Sequence, residues 1–261
     1  MTSTLALKII LVPALIAAIT LAGRRWGQGF AGWLGSFPIV AGPVLLILAL
    51  ENGSSFGADA ARAALAGVAP SMLFYVVYTR LASYAGWPIV VTVSLLAWFA
   101  FTAMLLALAL PLWMATLVTA AALYLAPRLM PAPTPITARS PHRFELPARM
   151  LTGATVTLVS SELGRLGGPS LSGYAALFPS IGMIVAAFNH AQASASMATE
   201  FLRGMTRGMW SVAAFCLALS FGLPRLSLAG AFAAAAVVAL LMHAAFRPRG
   251  GADRSSLQSD S

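Results

Sequence analysis

Residues 88–126 read PIVVTVSLLAWFAFTAMLLALALPLWMATLVTAAALYLA, an apolar run without a charged side chain and broken only by Pro111. A helix needs roughly 20 mostly apolar residues to cross a bilayer, so this run holds two spans with a turn at the proline. The rest of the chain has the same character. Of 261 residues, 59% are apolar and only 9% charged, with a mean hydropathy of +0.85. A soluble domain carries about 25% charged residues. This balance excludes a soluble enzyme, a nucleic-acid binder and a disordered chain, and points to an all-α integral membrane protein.

Working outward, further spans are expected at 4–22, 32–50, 61–81, 150–163, 173–190, 201–221 and 226–246. With 88–110 and 112–126 they make about nine transmembrane helices, or eight if 112–126 does not cross. The first is not expected to be a cleaved signal, because the apolar run after Lys8 ends in Gly23-Arg24-Arg25 without a small-x-small cleavage site. Five prolines between Pro131 and Pro147 mark an extended connector, and the stretch after Arg247 reads as a disordered polar tail. Single Cys216 excludes an internal disulfide, no CxxC stands in the chain, and no metal or cofactor is expected.

With nine spans the basic residues divide unevenly. Twelve of the 16 (Arg24, Arg25, Arg80, Arg128, Arg139, Arg143, Arg149, Arg203, Arg207, Arg247, Arg249 and Arg254) share one face, leaving Lys8, Arg62, Arg165 and Arg225 on the other. The positive-inside rule makes the richer face cytoplasmic. The N-terminus is then outside and the C-terminus cytoplasmic, in a bacterial-type inner membrane.

Laying Phe37-Pro38 on Phe178-Pro179 aligns the two halves without a gap. In that register Gly23-Arg24 falls on Gly164-Arg165, Gly32 on Gly173, Arg62 on Arg203, Gly67 on Gly208 and Phe74 on Phe215; Asp59 meets Glu200. The expected organisation is a four-helix repeat over 1–110, a linking helix over 111–130, a Pro-rich cytoplasmic connector over 131–148, a second four-helix repeat over 149–246 and a tail over 247–261. One helix between two four-span units makes the second enter from the opposite face, giving inverted repeats, an arrangement common among secondary transporters.

Leu177-Phe178-Pro179 followed by Gly208-Met209-Trp210-Ser211 resembles the GlpM family of small four-helix membrane proteins. Ser161-Glu162-x-x-Arg165 and Glu51-Asn52-Gly53 resemble a sister family of four-helix proteins. Each repeat covers about one such unit, although Thr20-Leu21 replaces the Ser-Glu pair in the first. The resemblance implies an inner-membrane protein linked to alginate production, and a four-helix unit that pairs in opposed orientations.

Three groups of residues can carry function. Phe37-Pro38 and Phe178-Pro179 should kink their spans, as should Gly42-Pro43, since proline removes a backbone donor and clashes one turn back. Placed symmetrically about the midplane, the kinks would free carbonyls to line a cavity; as plain packing devices they would not. Asp59 with Arg62, and Glu200 with Arg203, stand three apart at the starts of two spans. There they suit the helix N-terminal dipole, pair, or snorkel, or else gate each mouth. Glu162 follows Thr152, Thr155, Thr157, Ser160 and Ser161, a polar stripe that must face protein or water. It either couples transport to protons or pairs with Arg165.

Glu51, Asn52, Asn189 and His190 read as helix stops, and Trp26, Trp33, Trp87, Trp113 and Trp210 as an interfacial belt, with Trp98 deeper as packing. Gly204 and Gly208 permit close helix approach, within the chain or in a homodimer. HExxH, paired-Asp and Ser/His constellations are missing from the spans and no P-loop stands in the sequence, so neither an enzyme nor direct ATP drive is expected. The expected function is a proton-coupled secondary transporter or exporter of a small metabolite, its partners the bilayer and that solute and not nucleic acid. The alternative is a non-transporting accessory protein of exopolysaccharide or envelope synthesis.

Overall fold

Alanine-rich, charge-poor residues 54–81 form one uninterrupted helix, and the equivalent segment of the second half does the same. In the computed structural model these are α4 (Ser54–Leu81) and α10 (Ala195–Gly222), each 28 residues long. The structure describes the backbone over 2–132, 145–165 and 168–248, and side chains over 13–132, 146–156 and 168–248. The remaining helices are α1 (Thr2–Trp26), α2 (Gln28–Gly35), α3 (Ala41–Asn52), α5 (Trp87–Leu108), α6 (Leu112–Leu129), α7 (Glu145–Arg165), α8 (Gly168–Ala176), α9 (Ser180–Gln192) and α11 (Leu228–Ala245). No strand occurs among the described residues.

Five stretches are long and apolar enough to cross a membrane: α4, α5, α6, the α8–α9 pair and α11. The other four expected spans fall on α1, α2–α3, α7 and α10. Burial separates inner from outer helices. The most apolar stretch of α4 is 78% buried, whereas those of α5, α6 and α11 are only 22–28% buried and turn Leu96, Phe99, Leu117 and Leu241 outward. An outer surface as apolar as the core suits lipid and not water. The long apolar run over 88–126 does divide, with Ala109 in the left-handed region (φ 45°) and Pro111 capping α6.

Element boundaries follow the register that carries Phe37 onto Phe178. It takes the first residue of α4, Ser54, onto Ala195 of α10, and that of α5, Trp87, onto Leu228 of α11. It also takes the last residue of α2, Gly35, onto Ala176 of α8. Gly27 (φ 89°) joins α1 to α2 and its counterpart Gly168 (φ 74°) stands where α8 begins. Both are conformations that side chains rarely adopt. The buried stripe Val90, Ser94, Trp98, Thr102 of α5 answers Ala231, Ala235, Ala239, His243 of α11, each at four-residue spacing toward α4 or α10.

Packing crosses between the halves. Helix α2 lies on α10 and α8 on α4, through glycines. A Cβ built at Gly32 would collide with the Phe201 carbonyl oxygen, and one at Gly173 with the Ala60 carbonyl oxygen. In the repeat register Gly32 matches Gly173 and Ala60 matches Phe201, so the two contacts are one contact made twice. Gly204 and Gly208 meet Gly29 and Trp33 of α2 and Ser36 just after it, which makes this close approach an internal one. Helices α4 and α10 run antiparallel: the Ser220 hydroxyl, late in α10, donates to the Ala58 carbonyl, early in α4, at 3.4 Å.

The span expected at 32–50 is two helices, not one kinked helix. Pro38 is the reason, but Pro43 contributes no kink, because it sits in the first turn of α3 where a missing N–H costs nothing.

Candidate functional site

The two breaks have the same backbone. Ile39 N–H donates to the Phe37 carbonyl and Ser180 N–H to the Phe178 carbonyl, both at 2.7 Å, making a three-residue turn around each proline. Before each turn, the amides of Ser36 and Leu177 reach back to Trp33 and Tyr174 (3.3 and 3.0 Å). After it, Gly42 and Met183 donate to the carbonyls of Pro38 and Pro179 (2.9 and 2.7 Å). The local sequence differs in most side chains; proline after phenylalanine is what the two turns share.

Both turns line one cavity of about 80 Å³. It is closed on its sides by Ser71 and Tyr75 of α4 and by Met205, Met209 and Val212 of α10. Phe37, Pro38, Phe178 and Pro179, far apart in sequence, are thus brought together. Each phenylalanine is held by the outer helix of the opposite half. Phe178 packs edge-on to Trp98, with ring centres 5.2 Å apart, and Phe37 edge-on to His243 at 5.1 Å. Trp98 is deep packing, as expected. Trp33 is not interfacial: it is 8% exposed, stacks on His243 at 4.1 Å, and its indole N–H donates to the His243 carbonyl at 3.2 Å.

The cavity is two-fold in backbone and one-sided in chemistry. The Ser71 hydroxyl lies 3.1 Å from the Gly67 carbonyl and 2.9 Å from that of Leu177, released by the second break. Val212 is the repeat counterpart of Ser71 and offers no donor to the Ser36 carbonyl. Tyr75 crosses the wall at Gly182, where a Cβ would sit 2.9 Å from the phenol oxygen, so only glycine admits the ring.

The two charged pairs lie at the bundle ends and differ from each other. Asp59 and Arg62 form an ion pair at 3.1 Å, about half exposed. Glu200 and Arg203 do not pair. A Glu200 carboxylate oxygen instead accepts the Gly29 amide at 3.4 Å, at the start of α2. Arg203 donates to the carbonyls of Pro127, Met130 and Pro131 at 3.0–3.3 Å, capping the end of α6. Arg62, at the matching position of α4, makes none of these contacts and pairs with Asp59 instead. Because α4 and α10 begin earlier than expected, neither carboxylate lies in the first turn of its own helix; Glu200 serves the dipole of α2 instead.

Glu162 and Arg165 belong to α7, and their side chains lie outside the described residues. Sequence reasoning missed a buried polar bridge between α7, α9 and α2. Arg149 donates to the Asn189 side-chain oxygen at 2.9 Å, and the Asn189 amide donates to Gln28 at 2.9 Å. Asn189 is 1% exposed and no polar loop surrounds it. The available signal was its repeat counterpart, Leu48, a leucine facing an asparagine in an otherwise parallel pattern. Among the described residues no group of His, Cys, Asp and Glu can hold a metal ion.

No family model, curated protein or solved structure matches this chain.

Proposed function

We propose that the chain is a secondary transporter of a small solute. Its nine spans form two inverted four-span units, α1–α5 and α7–α11, with a broken helix as the second span of each and α6 between them. The observation that carries the reading is the shared cavity: both Phe-Pro turns reach the same chamber, flanked by the antiparallel pair α4 and α10. Broken helices meeting near the midplane are how such transporters expose backbone groups to a solute. Arg80 and Arg203 both reach the end of α6, and Arg149 the start of α2 through Asn189. That gathering of arginines at one end supports placing it in the cytoplasm, in an inner membrane with the N-terminus outside. Glu162 remains the proposed site of proton coupling.

The test is saturable solute flux in proteoliposomes. Ala41→Trp, which fills the cavity, should abolish it, while Leu241→Trp on the outward face should leave it intact. Absence of any protein-dependent flux, with co-purification of an envelope-synthesis enzyme, would favour the accessory role that the GlpM resemblance suggests.

A further inference from the structure

The breaks leave a specific set of backbone groups without partners. Among the described residues, the amides of Val40, Ala41, Ile181 and Gly182 donate to nothing in the chain, and the carbonyls of Gly35, Ser36 and Ala176 accept nothing. All seven residues line the cavity. The Tyr75 side chain, 2% exposed, lines it too, and its hydroxyl has no hydrogen-bond partner among the described residues. Ser36, Ala41, Ile181 and Gly182 are buried and Gly35, Val40 and Ala176 partly so; a buried polar group costs about 1–3 kcal/mol unless something meets it.

Among the described residues no charged side chain lines the chamber. Glu200 and Arg203 are committed to α2 and α6, and Asp59 to Arg62. An ion would therefore enter without a counter-charge. Each break also brings two opposite helix ends together, the C-terminal end of α2 or α8 with the N-terminal end of α3 or α9. Their partial charges nearly cancel for a net charge and add for a dipole.

We propose that the cavity takes a small uncharged solute that both donates and accepts hydrogen bonds, of the amide, urea or short-diol class, and not an ion. This rests on the transporter reading above and names its substrate class. Size is compatible: each water-sized unit takes about 10–15 Å³ of such space, so this half-open cavity of about 80 Å³ has room for a solute of a few heavy atoms.

The full chain in proteoliposomes would be challenged with acetamide, urea, ethylene glycol, acetate and methylammonium, with flux read by stopped-flow light scattering against protein-free vesicles. The melting temperature of the detergent-purified chain would be read with the same solutes. Expected is saturable, mutually competing flux of the three uncharged solutes only. Tyr75→Phe should raise the half-saturation concentration roughly tenfold without lowering the melting temperature. Ser180→Ala, removing a smaller hydroxyl from the same wall, provides a second variant should the first fail to fold. Saturable flux of acetate or methylammonium alone overturns the substrate class and leaves the transporter reading standing. Uncharged flux unaltered by both variants overturns the placement in this cavity. No flux and no melting shift with any solute overturns both.

Discussion

Arg149 and Asn189 meet at 2.9 Å in the interior, with 4% and 1% of their surfaces exposed, and Asn189 passes the contact on to Gln28. The bridge ties both halves together at the arginine-rich end. At the repeat-equivalent positions stand Lys8, Leu48 and Pro169, so an asparagine-centred bridge has no counterpart there. Asn189→Leu removes an acceptor from a buried guanidinium and should destabilise by about 1–3 kcal/mol. Pairing it with Arg149→Met should restore part of the loss, because the methionine no longer needs the acceptor that the leucine removed. A double-mutant melting cycle in detergent checks this; purely additive losses would show that the pair is uncoupled.

The glycine seams should tolerate no side chain. Gly32→Ala and Gly173→Ala drive a methyl group into the carbonyls of Phe201 and Ala60, and each should cost roughly 1–3 kcal/mol or more. Gly86→Ala is the control. Its Cβ would meet only Pro88, at 3.7 Å, and its melting temperature should match the parent.

Equivalent arginines should behave differently. Arg203→Met strips the cap from the α6 terminus and should speed amide exchange in the last turn of that helix. Arg62→Met removes a half-exposed ion pair, of a type worth about 0–1 kcal/mol, and should leave exchange unchanged. Equal effects would show that the α6 contacts carry no stability.

Inversion has a direct readout. Tyr84 is 86% exposed between α4 and α5, and its repeat counterpart Arg225 is exposed between α10 and α11. The native Cys216 is buried and should not interfere. A membrane-impermeant maleimide should label Tyr84→Cys only from the cytoplasmic side and Arg225→Cys only from outside. Labelling of both from one side would remove the inverted arrangement.

The helical, membrane-suited class was legible because composition alone decides it, and the Phe-Pro turns because proline's missing donor acts locally. What escaped depends on neighbours distant in sequence. Glu200 and Arg203 look like an i,i+3 pair until α2 and α6 arrive with better partners. Trp33 looks interfacial until α11 covers it. Asn189 looks like a helix stop because a buried asparagine differs from an exposed one only in what packs around it. Pro43 was misjudged by a small error in the helix boundary, the difference between a kink and a harmless first turn.

The crossed seating of α2 on α10 and α8 on α4 means that neither half owns its own groove. Each is a torso whose arm rests in the other's socket, so the wall of the chamber is always assembled from both. A rotation of one half would therefore carry the opposite turn with it. If the chain transports as proposed, opening one side and closing the other would be a single rigid gesture seen from two sides.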